Sequence, residues 1–196
     1  MAIEIELKTR VDDPGVVREK LDGLALYNGE FLKEDTYWKQ ENPAKGPETL
    51  PLSGIRIRRE SGRDAAGKAY RAITVTCKSK ETREGIEVNR EREFSVSDAE
   101  AFEELLGQLG LKPATGKRKS GFSWNYNGIT AELAEVAGLG WFTELEILAG
   151  ADEPETVGIA RQRLLELLSK LGIGEDRIEP RYYTEMLQTQ DAQNPA

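Results

Sequence analysis

Ile3-Glu4-Ile5-Glu6-Leu7-Lys8 is the stretch from which the fold can be read. Its odd positions are aliphatic and its even positions charged, and Arg10 extends the charged row. Successive side chains on a strand point to opposite faces, so this is a strand with one apolar face and one face of acids and bases. The pattern recurs along the chain. In residues 54–60, Ile55 and Ile57 alternate with Arg56 and Arg58. In 72–78, Ile73, Val75 and Cys77 oppose Thr74, Thr76 and Lys78. In 86–96, Ile86, Val88, Phe94 and Val96 oppose Glu87, Asn89, Glu91 and Glu93, with Arg90 and Arg92 interrupting the apolar face. Lys117 and Lys119 open a further strand, followed by strands over 129–136 and 141–148, where Glu144 and Glu146 share a face. Residues 31–39 form a weaker candidate with Asp35 and Tyr37 in phase.

Helices are fewer. Asp13-Pro14 opens one through about Leu26, with Asp as N-cap and Pro in the first turn. Ser97-Asp98 caps a second that ends at Gly110, a third spans about 153–172, and a short one follows Pro180. Residues 41–51 and 61–68 read as loops, and 189–196 as a flexible tail behind a single domain over 1–188. An antiparallel sheet lying on helices turns its polar face to solvent. Here acids and bases recur at matched spacing on most strands, with few Ser, Gln or Asn. The expectation is therefore an α+β fold: a closed antiparallel β-barrel with a charged lumen and helices packed outside.

Composition narrows the chemistry. The chain has 196 residues, 27 Lys and Arg against 35 Asp and Glu, and a net charge of −8, which argues against nucleic acid as a partner. One cysteine precludes an internal disulfide, and no apolar run is long enough to span a membrane; the reading is a cytoplasmic location. Histidine is absent, which excludes His-based nucleophile activation and His-ligated zinc. Gly62 to Lys68 matches GxxxxGK, but Ala69 stands where a metal-binding hydroxyl is needed and a strand follows, so it reads as a hairpin loop. Cys77, Trp38, Trp124 and Trp141 read as packing residues.

The ordered set EIELKTRV (4–11), DTYW (35–38), GIRIR (54–58), ITVTCK (73–78), GKRKS (116–120), GLGWFTELEI (138–147) and EPRYYTEML (179–187) resembles the CYTH superfamily. These triphosphate tunnel metalloenzymes include class IV adenylyl cyclases and thiamine and inorganic triphosphatases. GLGxFxExE and EPRxYxxxL look most like the cyclase branch. The resemblance implies an eight-stranded tunnel, a triphosphate substrate such as ATP, thiamine triphosphate or inorganic triphosphate, Mg²⁺ or Mn²⁺ as cofactor, and is compatible with a homodimer. It implies phosphate binding by Lys8, Arg56, Arg58, Lys78, Lys117, Lys119 and Arg181, and metal binding by Glu4, Glu6, Glu144 and Glu146. Glu91 and Glu93 stand where the family has acids on a middle strand. Glu6, Lys8 and Glu132 are the implied catalytic set. Family members commonly carry Asp four residues before GLG, where this chain has Ala134; Glu132, on the same strand face, either supplies that carboxylate or the role is lost.

Such residue types suit the chemistry. Guanidinium forks pair with phosphate oxygens, and Lys adds compact charge. Mg²⁺ prefers oxygen ligands, and carboxylates two apart on a strand point the same way. Attack by the ribose 3′-hydroxyl on the α-phosphorus gives cyclic AMP and pyrophosphate, whereas water attacking the terminal phosphorus gives hydrolysis. A non-catalytic triphosphate or polyphosphate binder is the reading of another class.

Overall fold

A computed structural model describes residues 2–40, 54–83, 85–114 and 116–193. The elements run β1 (Ala2–Arg10), α1 (Pro14–Leu24), β2 (Leu26–Gln40), β3 (Ile55–Asp64), β4 (Ala69–Arg83), β5 (Ile86–Ser95), α2 (Ala99–Gln108), β6 (Leu111–Pro113), β7 (Lys117–Tyr126), β8 (Ile129–Val136), β9 (Gly140–Ala149), α3 (Pro154–Lys170) and α4 (Tyr183–Gln193). Neighbours in the sheet follow the order β3-β4-β5-β1-β9-β8-β7-β2, and β2 pairs back onto β3. The sheet is thus a closed, eight-stranded antiparallel barrel, as the alternation predicts. Closure leaves no unpaired edge in the ring. The three-residue β6 is a ninth strand outside the ring, continuing the β7 side of β2 beyond Asp35.

The apolar faces point outward and the helices cover them. α1 and α3 close a core over β1, β7, β8 and β9 that includes Ile5, Leu7, Trp124, Leu133, Leu145, Leu164, Leu167 and Leu168. Each fully buried Leu of α3 contributes roughly 1.5–3 kcal/mol relative to exposure. A second cluster seats α2 and β6 on Trp38, Ile57 and Val75. Asp13 caps α1, its Oδ1 accepting from Gly15 N at 3.0 Å and Val16 N at 3.2 Å. At α2 the cap is Asp98, which accepts from Ala101 N. The GxxxxGK match is the tip of the β3–β4 hairpin: of the loop read at 61–68, residues 61–64 are the end of β3 and only 65–68 turn, with Asp64 Oδ1 accepting from Ala66 N and Lys68 N. The loop read at 41–51 lies outside the described residues, whereas α4 continues to Gln193, into the segment read as a tail. No helix among the described residues is long and apolar enough to cross a membrane.

One end of the barrel is stoppered. Arg10, Val136 and Phe142 continue the inward rows of β1, β8 and β9, and there Val136 and Phe142 meet Leu139 and α4 residues Tyr183 and Met186 in a third cluster. Arg10 ties this end together: it donates to Leu139 O at 3.1 Å and lies over the Phe142 ring at 4.8 Å.

Candidate active site

The inward rows converge on one cavity. Its lining contains Glu4, Glu6 and Lys8 from β1, Arg56 and Arg58 from β3, Lys78 from β4, Lys117 and Lys119 from β7, Glu132 from β8, and Glu144 and Glu146 from β9. Strand register explains the convergence. Glu6 pairs with Glu146 and Lys8 with Glu144 across β1 and β9, while Glu132 pairs with Glu144 across β8 and β9. The β7–β8 seam is tight: a Cβ at Gly121 would lie 2.1 Å from Leu133 O and 2.8 Å from Ala134 Cβ.

Most interior acids are matched by cations. Lys119 reaches Glu132 at 2.7 Å and Glu144 at 2.6 Å, and Lys33 reaches Glu132 at 2.5 Å. Lys78 bridges Glu4 at 2.8 Å and Glu91 at 2.7 Å. Lys8 pairs with Glu87, and Asp35 with Arg58 and Lys117. The charges follow. Burial opposes ionisation of Glu132, yet Lys119 and Lys33 hold it far below the usual carboxylate range. Glu144 is likewise buried, but Lys119 and Lys117 hold it down at about 2. Burial also works against Asp35, and Lys117 with Arg58 overcomes it.

Three acids are less fully matched: Glu4 shares Lys78 with Glu91, and burial outweighs the nearby cations at Glu6 and Glu146. Oxygens of Glu4, Glu6 and Glu146 all lie within 4.8 Å of one another. Burial, with Glu87 and Glu144 close by, pushes Glu6 up to about 7. Burial and the charges of Glu4 and Glu6 push Glu146 up to about 8. Glu4 is raised by burial in spite of Lys78. Three converging carboxylates short of positive charge make an all-oxygen donor set that fits a hard divalent cation.

The acids of the expected metal set lie in different surroundings. Glu144 is engaged by Lys119 and by the Tyr183 hydroxyl, which donates to it at 2.5 Å. Glu91 is buried between Lys78 and Arg56, and half-exposed Glu93 accepts from Thr76 at 3.1 Å. Neither joins the acidic cluster. Glu132, expected in the catalytic set, is held ionised between Lys33 and Lys119. Arg181 is not brought to the cavity: its side chain is 56% exposed and its Nε and Nη2 donate to Glu179 at 2.8 and 2.6 Å. The chain turns Tyr182, Tyr183 and Thr184 inward just after it, which leaves Arg181 facing out.

Lys33, Glu87 and Tyr183 line the cavity and Asp35 backs it, and none of the four was given a site role by sequence. Lys33 and Asp35 are in phase with Tyr37 on β2, and Glu87 with Glu91 on β5, so period-two phase was the available signal. Tyr183 carries no such signal, because α4 brings it in by tertiary packing. Lys8 and Lys117 lie 5.6 and 5.0 Å from its ring centroid.

A barrel whose lumen carries this charge pattern has known relatives. Residues 2–183 match the CYTH domain. The chain belongs to the CYTH family. Membership points to an enzyme that acts on a triphosphate. A protein of Methanocaldococcus jannaschii provisionally named adenylate cyclase is 30% identical over 189 residues, covering 94% of this chain and 98% of its own. Among solved structures, a Pyrococcus horikoshii protein shares 26% identity with a TM-score of 0.76, covering 95% of this chain and 99% of its own. A Hippeastrum protein described as having a dominant triphosphatase activity shares the fold at 17% identity and a TM-score of 0.63, covering 98% of this chain and 96% of its own.

Proposed function

We propose that this CYTH chain binds ATP with its phosphates inside the barrel and converts it to cyclic AMP and pyrophosphate with the help of Mg²⁺ or Mn²⁺. One observation carries the reading: the order of charges along the barrel axis. Lys8, Lys117 and Lys119 lie toward the α4 end, while Glu6 and Glu4 follow at successive inward positions away from it. A triphosphate whose β- and γ-phosphates are gripped by Lys8, Lys117, Lys119 and Arg58 presents its α-phosphate to Glu4, Glu6 and Glu146. Its nucleoside then points to the opposite mouth. Arg56 adds support. Its Nε is buried without a hydrogen-bond partner among the described residues, a donor suited to a phosphate oxygen.

In this scheme a cation held by Glu4, Glu6 and Glu146 supplies Lewis-acid charge to the phosphate oxygens. The ribose 3′-hydroxyl attacks the α-phosphorus, the bond from that phosphorus to the bridging oxygen of the β-phosphate breaks, and pyrophosphate leaves, with the hydroxyl proton passing to solvent or to the departing pyrophosphate. Lys8 and Lys119 stabilise the charge that builds on the leaving group. Glu132 fixes Lys33 and Lys119 in place, and so acts through its partners. The second reading is hydrolysis of thiamine triphosphate or inorganic triphosphate. The apolar stopper at the α4 end suits the phosphate tail of any of these substrates, so the products distinguish the two readings.

The test is product analysis. The purified protein is given ATP, thiamine triphosphate and inorganic triphosphate in turn, with Mg²⁺ or Mn²⁺. Cyclic AMP with equimolar pyrophosphate is the expected outcome. Phosphate release without cyclic AMP moves the assignment to hydrolysis, and binding without turnover of any substrate makes the chain a triphosphate-binding module.

A further inference from the structure

Asp35 touches two of the cavity's cations but is itself out of a ligand's reach. Asp35 sits on β2 directly across from Arg58 of β3 on one side and Lys117 of β7 on the other. Its Oδ1 accepts from Arg58 Nε at 2.7 Å, and its Oδ2 from Arg58 Nη2 at 3.0 Å, with Lys117 Nζ at 3.2 Å. The Asp35 side chain has no exposed surface. Arg58 and Lys117 line the cavity; Asp35 is not among the lining residues. Glu87, Glu132 and Glu144, by contrast, do line it. A phosphate entering the cavity competes with those three for their lysines, but it has no access to Asp35.

We infer that Asp35 is a positioning residue of the triphosphate grip, holding Arg58 and Lys117 in one arrangement in the loaded as in the empty protein. The inference rests on the reading of Arg58 and Lys117 as phosphate-binding cations. The geometry gives its physical content. Asp35 takes two of the five guanidinium N–H groups of Arg58, and the remaining donors are left for a ligand. Two long side chains are ordered on folding, so little of that ordering is left to oppose binding. The consequence has a sign opposite to that of simple charge counting. A carboxylate near a polyanion repels it, so on charge alone its removal tightens binding. As a positioning residue, its removal loosens binding, because Asn turns N–H donors toward Arg58 and frees both cations.

The experiment is calorimetric titration of inorganic triphosphate, and separately of ATP, into the wild type, Asp35→Asn and Asp35→Glu, with a melting curve for each protein. A wild type that binds neither probe overturns the reading of the cavity, and the inference falls with it. Given wild-type binding, folded Asp35→Asn is expected to bind triphosphate about tenfold more weakly, the scale of losing hydrogen bonds to a charged group. For whichever triphosphate is turned over, KM rises while kcat stays within about threefold, the signature of lost uniform binding. Asp35→Asn binding as tightly as the wild type, or more tightly, overturns the inference. Should Asp35→Asn show no cooperative melt, Asp35→Glu decides: it keeps the charge and displaces the carboxylate by one methylene. Weaker binding is then expected, and wild-type affinity refutes the positioning role.

Discussion

Glu6 has two acidic neighbours in the cluster and few cations to offset them, so its side chain is where metal and protein stability meet. Replacing it by Gln removes a charge that Glu87, Glu144 and Glu146 repel. Glu6→Gln is expected to melt a few degrees higher than the wild type in metal-free buffer, the shift that about 1 kcal/mol gives a chain of this size. The rise in Tm that Mg²⁺ or Mn²⁺ gives the wild type should vanish, and turnover should fall about a hundredfold, the scale of losing one group that stabilises transition-state charge. A wild-type metal shift in Glu6→Gln would remove this residue from the site. Arg181 gives the contrary case. It lies outside the barrel against Glu179, and exposed ion pairs contribute little. Arg181→Ala should leave KM and kcat within about twofold of the wild type; a large rise in KM would show that α4 swings this side chain inward on binding.

Strands made most of the site legible and tertiary packing hid the rest. On β7, Gly121 faces the Leu133 carbonyl of β8, and a side chain has no room. Gly121→Ala should lower stability by about 1–3 kcal/mol, as overpacking does, and urea unfolding measures this; an unchanged midpoint would mean that the seam can open. Glu4, Glu6 and Lys8 were readable because a two-residue period fixes which side chains share a face, and the same holds for Arg56, Arg58, Lys78, Glu144 and Glu146. Asp35 lies in the same kind of row, yet its role depends on β2 lying between β3 and β7, and strand order is not a periodic property. Division of the acids into more and less fully matched sets was hidden for the same reason: it is set by which lysine faces which carboxylate across the barrel. Arg181 and Tyr183 show the limit most clearly. They are two residues apart, but the direction in which the chain enters α4 puts one in solvent and the other on Glu144.

Across the whole molecule, two populations of interior acids set opposite pH dependences. Asp35, Glu91, Glu132 and Glu144 are depressed. The stability they contribute is present above the ordinary carboxylate range near pH 4 and is lost as pH falls through their folded values. Glu6, at about 7, and Glu146, at about 8, run the other way. Between roughly pH 4.3, the ordinary Glu value, and their folded values, the native state holds protons that the unfolded chain has released, so stability falls as pH rises. Metal-free protein should accordingly melt highest in mildly acid buffer and progressively lower toward pH 8.5. Mg²⁺ favours ionised carboxylates, so its stabilising effect should be larger at pH 8.5 than at pH 6. Melting curves in EDTA and in saturating Mg²⁺ across this range measure both trends. The net charge of −8 supplies a rival cause of alkaline destabilisation, general self-repulsion. Glu6→Gln separates the two: it leaves the chain acidic but takes away one of the two groups that titrate in the window. A slope in EDTA that is unchanged in Glu6→Gln would assign the effect to net charge; a flatter slope would assign it to the cluster of Glu4, Glu6 and Glu146.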